Sequence, residues 1–209
     1  MNPRLLIVTG VVAALAFAVL LAGFLTRGDG SGSGPDATAS GVVSPRTGLA
    51  GAAIAGGVTA PDFLLRDENG DPVRMRDLRG RPVVVTFLYS HCRDTCPATA
   101  QQIRGALDDV GHDVPAVAIS VDPANDTEDS ARRFLAEQHM TGRMKFVLGT
   151  RAQLAPVWAA YGTTPQSVQQ EHNARAVLVD ARGRQRVGFP MNQTSPEMIA
   201  HDLGVIEGR

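Results

Sequence analysis

The sequence has few of the residues that would place it in a specialised class of protein. Its 209 residues include only two cysteines, a single lysine and no run of five or more basic residues, and the net charge is −1. Two cysteines are too few for a small protein held together by several disulfides. A nearly neutral chain without a basic cluster gives no indication of nucleic-acid binding. The length favours one domain of ordinary size with additional segments.

An apolar segment near the N-terminus is long enough to cross a membrane. Residues 5–25 contain no charged side chain, and a helix of this length reaches about 30 Å, the thickness of a hydrocarbon core. A cleaved signal peptide has a shorter apolar region of about 7–15 residues. The pattern therefore predicts an uncleaved single-pass anchor over residues 1–27 in the cell membrane. Because only a few residues precede the apolar segment, we expect the rest of the chain on the extracytoplasmic side.

A change of composition separates this segment from the rest of the chain. Residues 28–57 are rich in Gly, Ser, Ala, Thr and Pro, which bury too little apolar surface to offset the entropy lost on ordering. We interpret these residues as a flexible linker. The remaining residues, 58–209, are predicted to form one compact domain.

The compact domain alternates strand patterns with helix patterns. Continuous runs of β-branched and apolar residues at 82–89 and 114–121 are typical of strands buried on both faces in α/β proteins. A shorter strand is predicted at 145–148, and turn residues at 67–70 and 180–183 indicate two hairpins. The predicted order is hairpin, strand, helix, strand, helix, strand, helix, hairpin, helix. This order is the α/β arrangement of a thioredoxin-like fold with an N-terminal hairpin extension.

The two cysteines follow the first buried strand, where α/β folds carry their functional sites. The segment from Ser90 to Pro97 reads SHCRDTCP. Cys92 and Cys96 are one helical turn apart, so their side chains point to the same side, and the N–H groups at a helix start favour thiolates. Two thiolates are soft ligands that suit Cu(I) and Zn(II). The same pair could instead form a local disulfide or exchange thiols, so the spacing alone leaves metal binding and redox chemistry open.

A metal bound by two sulfurs needs a further ligand, and the histidines are the candidates. His172 lies in the predicted loop 162–175, which in a thioredoxin-like topology lies against the cysteine helix. His91 adjoins Cys92, but we expect it to point in another direction from the turn that follows. His172 is therefore the stronger candidate, and spacing alone does not decide the matter. Surface positions are predicted for the other three histidines: His112, His139 and His201.

Five pieces of the compact domain form a combination that is more specific than any of them alone. These pieces are Pro61-Asp62-Phe63, Val85-Thr86-Phe87-Leu88-Tyr89, the Cys-x-x-x-Cys-Pro motif at 92–97, Ser120-Val121-Asp122-Pro123 with Asp126-Thr127, and His172 followed by Val179-Asp180-Ala181-Arg182-Gly183. Together they resemble the Sco/SenC family of copper proteins, which help to assemble the copper centre of cytochrome c oxidase. The resemblance extends over residues 60–203.

The resemblance implies a copper site. Cys92, Cys96 and His172 would bind one ion per domain, as Cu(I) or Cu(II), and Asp122 would accept a hydrogen bond beside the site. The alternative for Asp122 is a turn residue before Pro123. The resemblance also implies a single N-terminal membrane anchor, and a partner that is the copper-binding subunit of a terminal oxidase. Oxidation of the two cysteines to a disulfide would release the metal.

Two functions are compatible with these residues. The first hypothesis is a metallochaperone, which is not an enzyme and delivers copper to the copper centre of cytochrome c oxidase by ligand exchange. The second is a thiol-disulfide reductase acting on the cysteines of the same oxidase subunit, with one cysteine attacking and the other resolving. A peroxidase of the peroxiredoxin type is disfavoured, because it would require a threonine and a proline before the attacking cysteine, whereas Pro97 follows Cys96.

Overall fold

The computed structural model of the chain describes residues 43–166 and 174–209. The predicted anchor over residues 1–27 and the predicted ligand His172 lie outside these residues. Within the two described ranges, no helix is both long enough and apolar enough to cross a membrane.

The described residues form eight strands and four α-helices, with 3₁₀ turns at Met75–Leu78 and Met191–Gln193. The strands are β1 (Ala52–Ala53), β2 (Leu64–Arg66), β3 (Pro72–Arg74), β4 (Val83–Leu88), β5 (Ala116–Ser120), β6 (Met144–Val147), β7 (Arg175–Val179) and β8 (Gln185–Pro190). The helices are α1 (Thr95–Val110), α2 (Glu128–Glu137), α3 (Arg151–Tyr161) and α4 (Pro196–Glu207).

Six of these strands form one mixed sheet in the order β1-β8-β7-β4-β5-β6. The strands β4, β5 and β6 are parallel, whereas β7 is antiparallel to β4, and β8 is antiparallel to both β7 and β1. The strands β2 and β3 form a separate antiparallel hairpin, which contacts the β6 side of the sheet through a 2.8 Å hydrogen bond from Leu148 N–H to the Arg66 carbonyl. The predicted α/β class and its N-terminal hairpin are confirmed.

The strand β4 lies inside the sheet because all of its side chains can be buried. Its sequence, VVVTFL, is buried at every position, and β-branched and aromatic residues pack well on a pleated surface. Helices α1, α2 and α4 cover one face of the sheet, and α3 covers the other. Parallel β4 and β5 end together, with Leu88 opposite Ser120. The residues that follow these two strands therefore meet at one edge of the sheet, here called the carboxyl edge.

The packed domain begins earlier than the sequence predicts. Leu49 and Ala50 are buried, and the next residues pair with β8 as strand β1. The predicted start of the domain at residue 58 is corrected accordingly, and residues 49–53, here called the strap, belong to the domain. The small residues at 50–53 favour the linker interpretation, yet close packing requires a glycine at position 51. A Cβ atom at Gly51 would lie 2.6 Å from a ring carbon of Phe189.

A buried carboxylate holds the strap. Asp202 on α4 is fully buried, and its two oxygens accept the backbone N–H groups of Ala50 at 2.7 Å and Gly51 at 2.8 Å. A charged acceptor paired with two buried donors satisfies all three groups, whereas each would be costly to bury alone. The strap is therefore fixed to both α4 and β8.

Replacing Asp202 is expected to destabilise the domain. In Asp202→Ala the two strap N–H groups lose a charged acceptor, and we expect the free energy of unfolding to fall by about 3 kcal/mol. Urea denaturation measures this change, and hydrogen exchange at Ala50 and Gly51 should accelerate with it. Asp109→Ala, at an exposed aspartate on α1, serves as the control and should stay within about 0.5 kcal/mol. Equal stabilities of the two variants would contradict the role given to Asp202.

Candidate metal centre

The two cysteines lie at the carboxyl edge, in the connection between β4 and α1. Cys92 is in the loop that leaves β4, and its backbone N–H donates to the Tyr89 carbonyl at 3.3 Å. Cys96 is the second residue of α1. The side chain of Cys92 is 8% exposed and that of Cys96 is fully buried. The predicted placement of both residues after the first buried strand is confirmed, and α1 begins at Thr95, between the two cysteines.

The two side chains converge as the one-turn spacing predicts. The Cys92 sulfur accepts the backbone N–H of Cys96 at 3.2 Å, and it lies 3.6 Å from the Thr95 hydroxyl oxygen. Both cysteines pack in the core cluster between the sheet and helices α1, α2 and α4. No disulfide joins the two sulfurs. Cys92 therefore has polar donors on one side and apolar packing on the other.

The sulfur pair shares one proton unequally. The Cys96 thiol donates a hydrogen bond to Cys92, and together with the backbone N–H groups of Asp94 and Cys96 it lowers the pKa of Cys92 from 9.0 to about 4, against the opposing effect of burial. The same hydrogen bond, together with burial, raises the pKa of Cys96. At neutral pH the pair therefore consists of a Cys92 thiolate and a Cys96 thiol, and Cys92 is the more nucleophilic of the two sulfurs.

The described residues do not supply a third ligand of the usual kind. Within residues 43–166 and 174–209, no group of three His, Cys, Asp or Glu side chains is arranged to bind a metal ion. The donor chemistry of Cys92 and Cys96 nevertheless fits a soft ion such as Cu(I). The predicted third ligand, His172, lies outside the described residues.

The residues that flank 167–173 both lie at the carboxyl edge. On one side, Gln166 N–H donates to the Val121 carbonyl at 2.9 Å, and Val121 N–H donates to the Leu88 carbonyl at 3.0 Å. On the other side, Ala174 precedes β7, which pairs with β4 through Ala176 opposite Thr86. The chain therefore leaves and re-enters the described structure beside the end of β4, from which the cysteine loop starts.

Asp122 has the turn role that the sequence left as an alternative. Its carboxylate oxygens accept the side-chain N–H groups of Asn125 at 3.1 Å and 2.8 Å, and its carbonyl accepts the N–H groups of Asn125 and Asp126. These bonds close the turn that follows β5. Among the described residues, no hydrogen bond joins Asp122 to either cysteine.

Sequence reasoning missed Asp126 as the acceptor that organises the cysteine loop. Its Oδ1 atom accepts the backbone N–H of Ser90 at 2.8 Å and the Ser90 hydroxyl at 2.7 Å. Its Oδ2 atom accepts the Ser120 hydroxyl at 2.5 Å. Burial raises the pKa of Asp126, and the bonds from Ser120 and Ser90 oppose that shift. The sequence signals were an acidic residue just before Thr127, the cap of α2, and the presence of Asp126 in the Sco/SenC combination, neither of which indicated its partners.

The remaining histidines are at the surface, as predicted. His112, His139 and His201 are exposed. The Nε2 atom of His112 lies 2.9 Å from Glu207 Oε1, and that of His201 lies 3.0 Å from the Gly48 carbonyl. His91 is also exposed, and its Nδ1 atom lies 3.1 Å from the Ser90 hydroxyl oxygen.

Comparison with known proteins identifies the family. A model of the SCO1/SenC family matches residues 52–206, a span that includes β1 and the cysteine motif. The chain belongs to the SCO1/SenC family. Protein SenC of Rhodobacter capsulatus is 32% identical to this SCO1/SenC member over 168 residues, which are 76% of this chain and 72% of SenC.

Solved structures of SCO1/SenC proteins share the fold. ScoI of Bradyrhizobium japonicum, solved with copper bound, is 30% identical with a TM-score of 0.60, and the match covers 71% of this chain and 99% of ScoI. BsSco belongs to the Sco family of cytochrome c oxidase assembly proteins and contains an identified disulfide switch. It is 19% identical with a TM-score of 0.64 over 73% of this chain and 96% of BsSco, which shows the likeness of fold. The thioredoxin-like fold predicted for the described domain is confirmed.

The unequal acidity of the cysteines has a measurable consequence. Because only a thiolate reacts with iodoacetamide, alkylation of Cys92 in the reduced full chain should reach half its maximal rate near pH 4, and not near the ordinary thiol pKa of 9.0. Mass spectrometry of quenched samples locates the label. Cys96 should become labelled only after denaturation, and Cys92→Ser should remove the fast reaction. A half-maximal rate above pH 8 would contradict the assignment of the thiolate to Cys92.

Proposed function

We propose that this SCO1/SenC protein binds one copper ion through Cys92, Cys96 and His172 and delivers it to the copper-binding subunit of a cytochrome c oxidase. The observation that carries the proposal is the convergence of two sulfurs, one of them a thiolate with its pKa lowered to about 4, at the carboxyl edge. Copper is the cargo of this reaction and is not consumed.

The sulfur pair supports Cu(I) as the ion delivered. Thiolates are soft ligands that prefer Cu(I) to hard cations. The Cys92 sulfur is held by the backbone N–H of Cys96, so one ligand is oriented before the metal arrives. Binding would replace the shared proton, and Cys96 would become a thiolate as the ion enters. The related ScoI of Bradyrhizobium japonicum is known with copper bound.

The flanks of residues 167–173 support His172 as the third ligand. Gln166 is bonded to Val121, and Ala174 leads into the strand that pairs with β4. Both flanks lie at the edge from which the cysteine loop starts, which is the position that a ligand completing this site would require. A neutral imidazole is a common copper ligand. With His172, the ligand set would be two thiolates and one imidazole.

Delivery would proceed by ligand exchange with the oxidase subunit. Cys92 is the more exposed of the two sulfurs, so incoming ligands of a partner would meet the copper on that side. Both cysteines must be reduced to bind the ion, and a disulfide between them would release it. The apolar residues 5–25 support a single-pass anchor in the cell membrane. With the domain on the extracytoplasmic side, the site would work close to a membrane-bound partner.

A copper titration tests the ligand set. The reduced full chain in detergent, titrated with Cu(I) without oxygen against a coloured chelator, is expected to bind about one equivalent. Cys92→Ser should abolish binding, because a single sulfur cannot hold the ion against the chelator. His172→Ala should weaken binding by more than about 100-fold, which exceeds the effect of losing an outer partner.

The control for this titration is His112→Ala, at an exposed histidine bonded to Glu207. It should bind copper as the unmodified chain does. Equal affinities of His172→Ala and His112→Ala would contradict the three-ligand site. Binding by Cys92→Ser at the original affinity would contradict the sulfur pair as the centre.

A second candidate function is a thiol-disulfide reductase acting on cysteines of the oxidase subunit, and the acidity of Cys92 favours it. The Cys92 thiolate would attack a substrate disulfide and form a mixed disulfide, which releases one substrate thiol. Cys96, after losing its proton to solvent, would attack Cys92 and release the second thiol. The products are a reduced substrate and a Cys92–Cys96 disulfide, so the step needs an external reductant to restore the thiols.

His172 separates the two candidate functions. Exchange of the reduced chain with oxidised glutathione should proceed at the same rate in His172→Ala as in the unmodified chain, because neither exchange step uses an imidazole. Copper retention should be lost in the same variant. Assembly of active oxidase in cells carrying His172→Ala is the deciding measurement. We expect assembly to fail, as copper delivery requires, whereas normal assembly would favour the reductase.

A further inference from the structure

His91 differs from the other exposed histidines in which ring nitrogen is engaged. In His112 and His201, the Nε2 atom contacts a carboxylate or a carbonyl oxygen. In His91 it is Nδ1 that is engaged, 3.1 Å from the Ser90 hydroxyl oxygen. Among the described residues, no hydrogen bond reaches His91 Nε2. This nitrogen therefore lies at the surface, one residue before Cys92.

The hydrogen bonds around Ser90 define which nitrogen of His91 carries the proton. The Ser90 hydroxyl lies 2.7 Å from Asp126 Oδ1 and 2.7 Å from the Ser130 hydroxyl oxygen. The carboxylate is a stronger acceptor than a neutral hydroxyl or than the His91 nitrogen, which lies farther away. The single hydroxyl proton of Ser90 is thus directed to Asp126. The Ser90 oxygen must then accept from His91, so the proton of the neutral ring is on Nδ1 and the lone pair is on Nε2.

This arrangement is the one that metal-binding histidines have. Such histidines donate one ring N–H to an oxygen acceptor, which fixes the tautomer and orients the other nitrogen toward the metal. In His91 the acceptor is Ser90, and Asp126 in turn holds both the hydroxyl and the backbone N–H of Ser90. The ring is therefore prepared to bind a metal ion through Nε2.

The exposed fraction of the residue decreases from His91 to Cys92 and again to Cys96. His91 is exposed, Cys92 is 8% exposed and Cys96 is fully buried. His91 is thus an exposed imidazole next in the chain to Cys92, the more exposed of the two sulfurs. An imidazole at the outer position can bind Cu(I) without belonging to the buried site.

We propose that His91 Nε2 is a transfer ligand, which binds Cu(I) transiently as the ion enters or leaves the site formed by Cys92 and Cys96. This inference rests on the copper delivery proposed above. On release, the bond from copper to Nε2 forms while one copper–sulfur bond breaks, and the sulfur remains a thiolate. Copper stays in the +1 state, and Nδ1 keeps its proton throughout. The ion then passes to ligands of the acceptor as its bonds to Nε2, to the second sulfur and to His172 break, and Cys96 takes a proton back from solvent.

The test measures the rate of copper release separately from affinity. The full chain in detergent, reduced and loaded with one equivalent of Cu(I), is mixed in a stopped-flow instrument with bathocuproine disulfonate, which absorbs when it binds Cu(I). In His91→Asn the side-chain amide can still donate to Ser90, but the Nε2 ligand is gone. We expect release about tenfold slower and an unchanged equilibrium dissociation constant.

Two further variants distinguish a role of His91 as a copper ligand from a role in the structure of the cysteine loop alone. His139→Asn makes the same substitution at an exposed histidine just after the C-terminal end of α2. Asparagine tolerates the positive φ of 55° at this position. This variant should release copper at the original rate. Ser90→Ala removes the acceptor of Nδ1–H but keeps the backbone bond to Asp126, and it should slow release to an intermediate rate. The nitrogen chemical shifts of His91 should show the Nδ1–H tautomer in the copper-free chain.

The release rate, the copper affinity and the tautomer of His91 each test the inference. An unchanged release rate in His91→Asn would overturn the inference, as would an Nε2–H tautomer in the copper-free chain. Equal losses of affinity and of rate would also overturn it, because His91 would then be a permanent ligand. If the unmodified chain binds no copper at all, the proposed function fails and this inference fails with it. Copper binding with an unaltered rate in His91→Asn rejects the transfer ligand alone.

Discussion

The position of the sulfurs depends on one partly buried carboxylate, that of Asp126. It accepts the N–H and hydroxyl groups of Ser90 and the hydroxyl of Ser120, and it thereby joins the ends of β4 and β5. Cys92 follows Ser90 by two residues, so the cysteine loop starts from a fixed point. Removing a carboxylate even partly from water is costly, but three hydrogen bonds offset that cost. The sheet edge, the cysteine loop and the ring of His91 all depend on this group.

The charge of the cysteine pair suits a monovalent ion. With one shared proton, the thiolate of Cys92 and the thiol of Cys96 carry a single negative charge, and the raised pKa of Cys96 shows that a second buried charge is disfavoured. In the proposed copper-bound state, two thiolates and one Cu(I) again carry a single negative charge. A monovalent ion could therefore replace the proton without changing the charge that the core must accommodate. A divalent ion would change it.

The sequence predicts the fold better than it predicts the site. Continuous β-branched runs identify β4 and β5, because a strand buried on both faces leaves that pattern, and the one-turn spacing identifies Cys92 and Cys96. The role of Asp126 cannot be predicted in this way, since its partner Ser90 is 36 positions distant. The strap is missed for a different reason. A glycine that is needed for close contact with Phe189 has the same sequence signature as a glycine in a flexible linker.

The edges of the sheet have a consequence for self-association. An open strand edge can pair with the edge of another copy and begin aggregation. On one side, the strap ends the sheet in β1, a strand of only two residues. On the other side, the outward N–H of Phe146 in β6 is bonded to Glu68 Oε2 at 2.8 Å, and the only lysine, Lys145, pairs with Asp67 at 2.5 Å. Within residues 43–166 and 174–209, neither edge of the sheet therefore presents a long row of free backbone groups, which disfavours edge-to-edge pairing between copies.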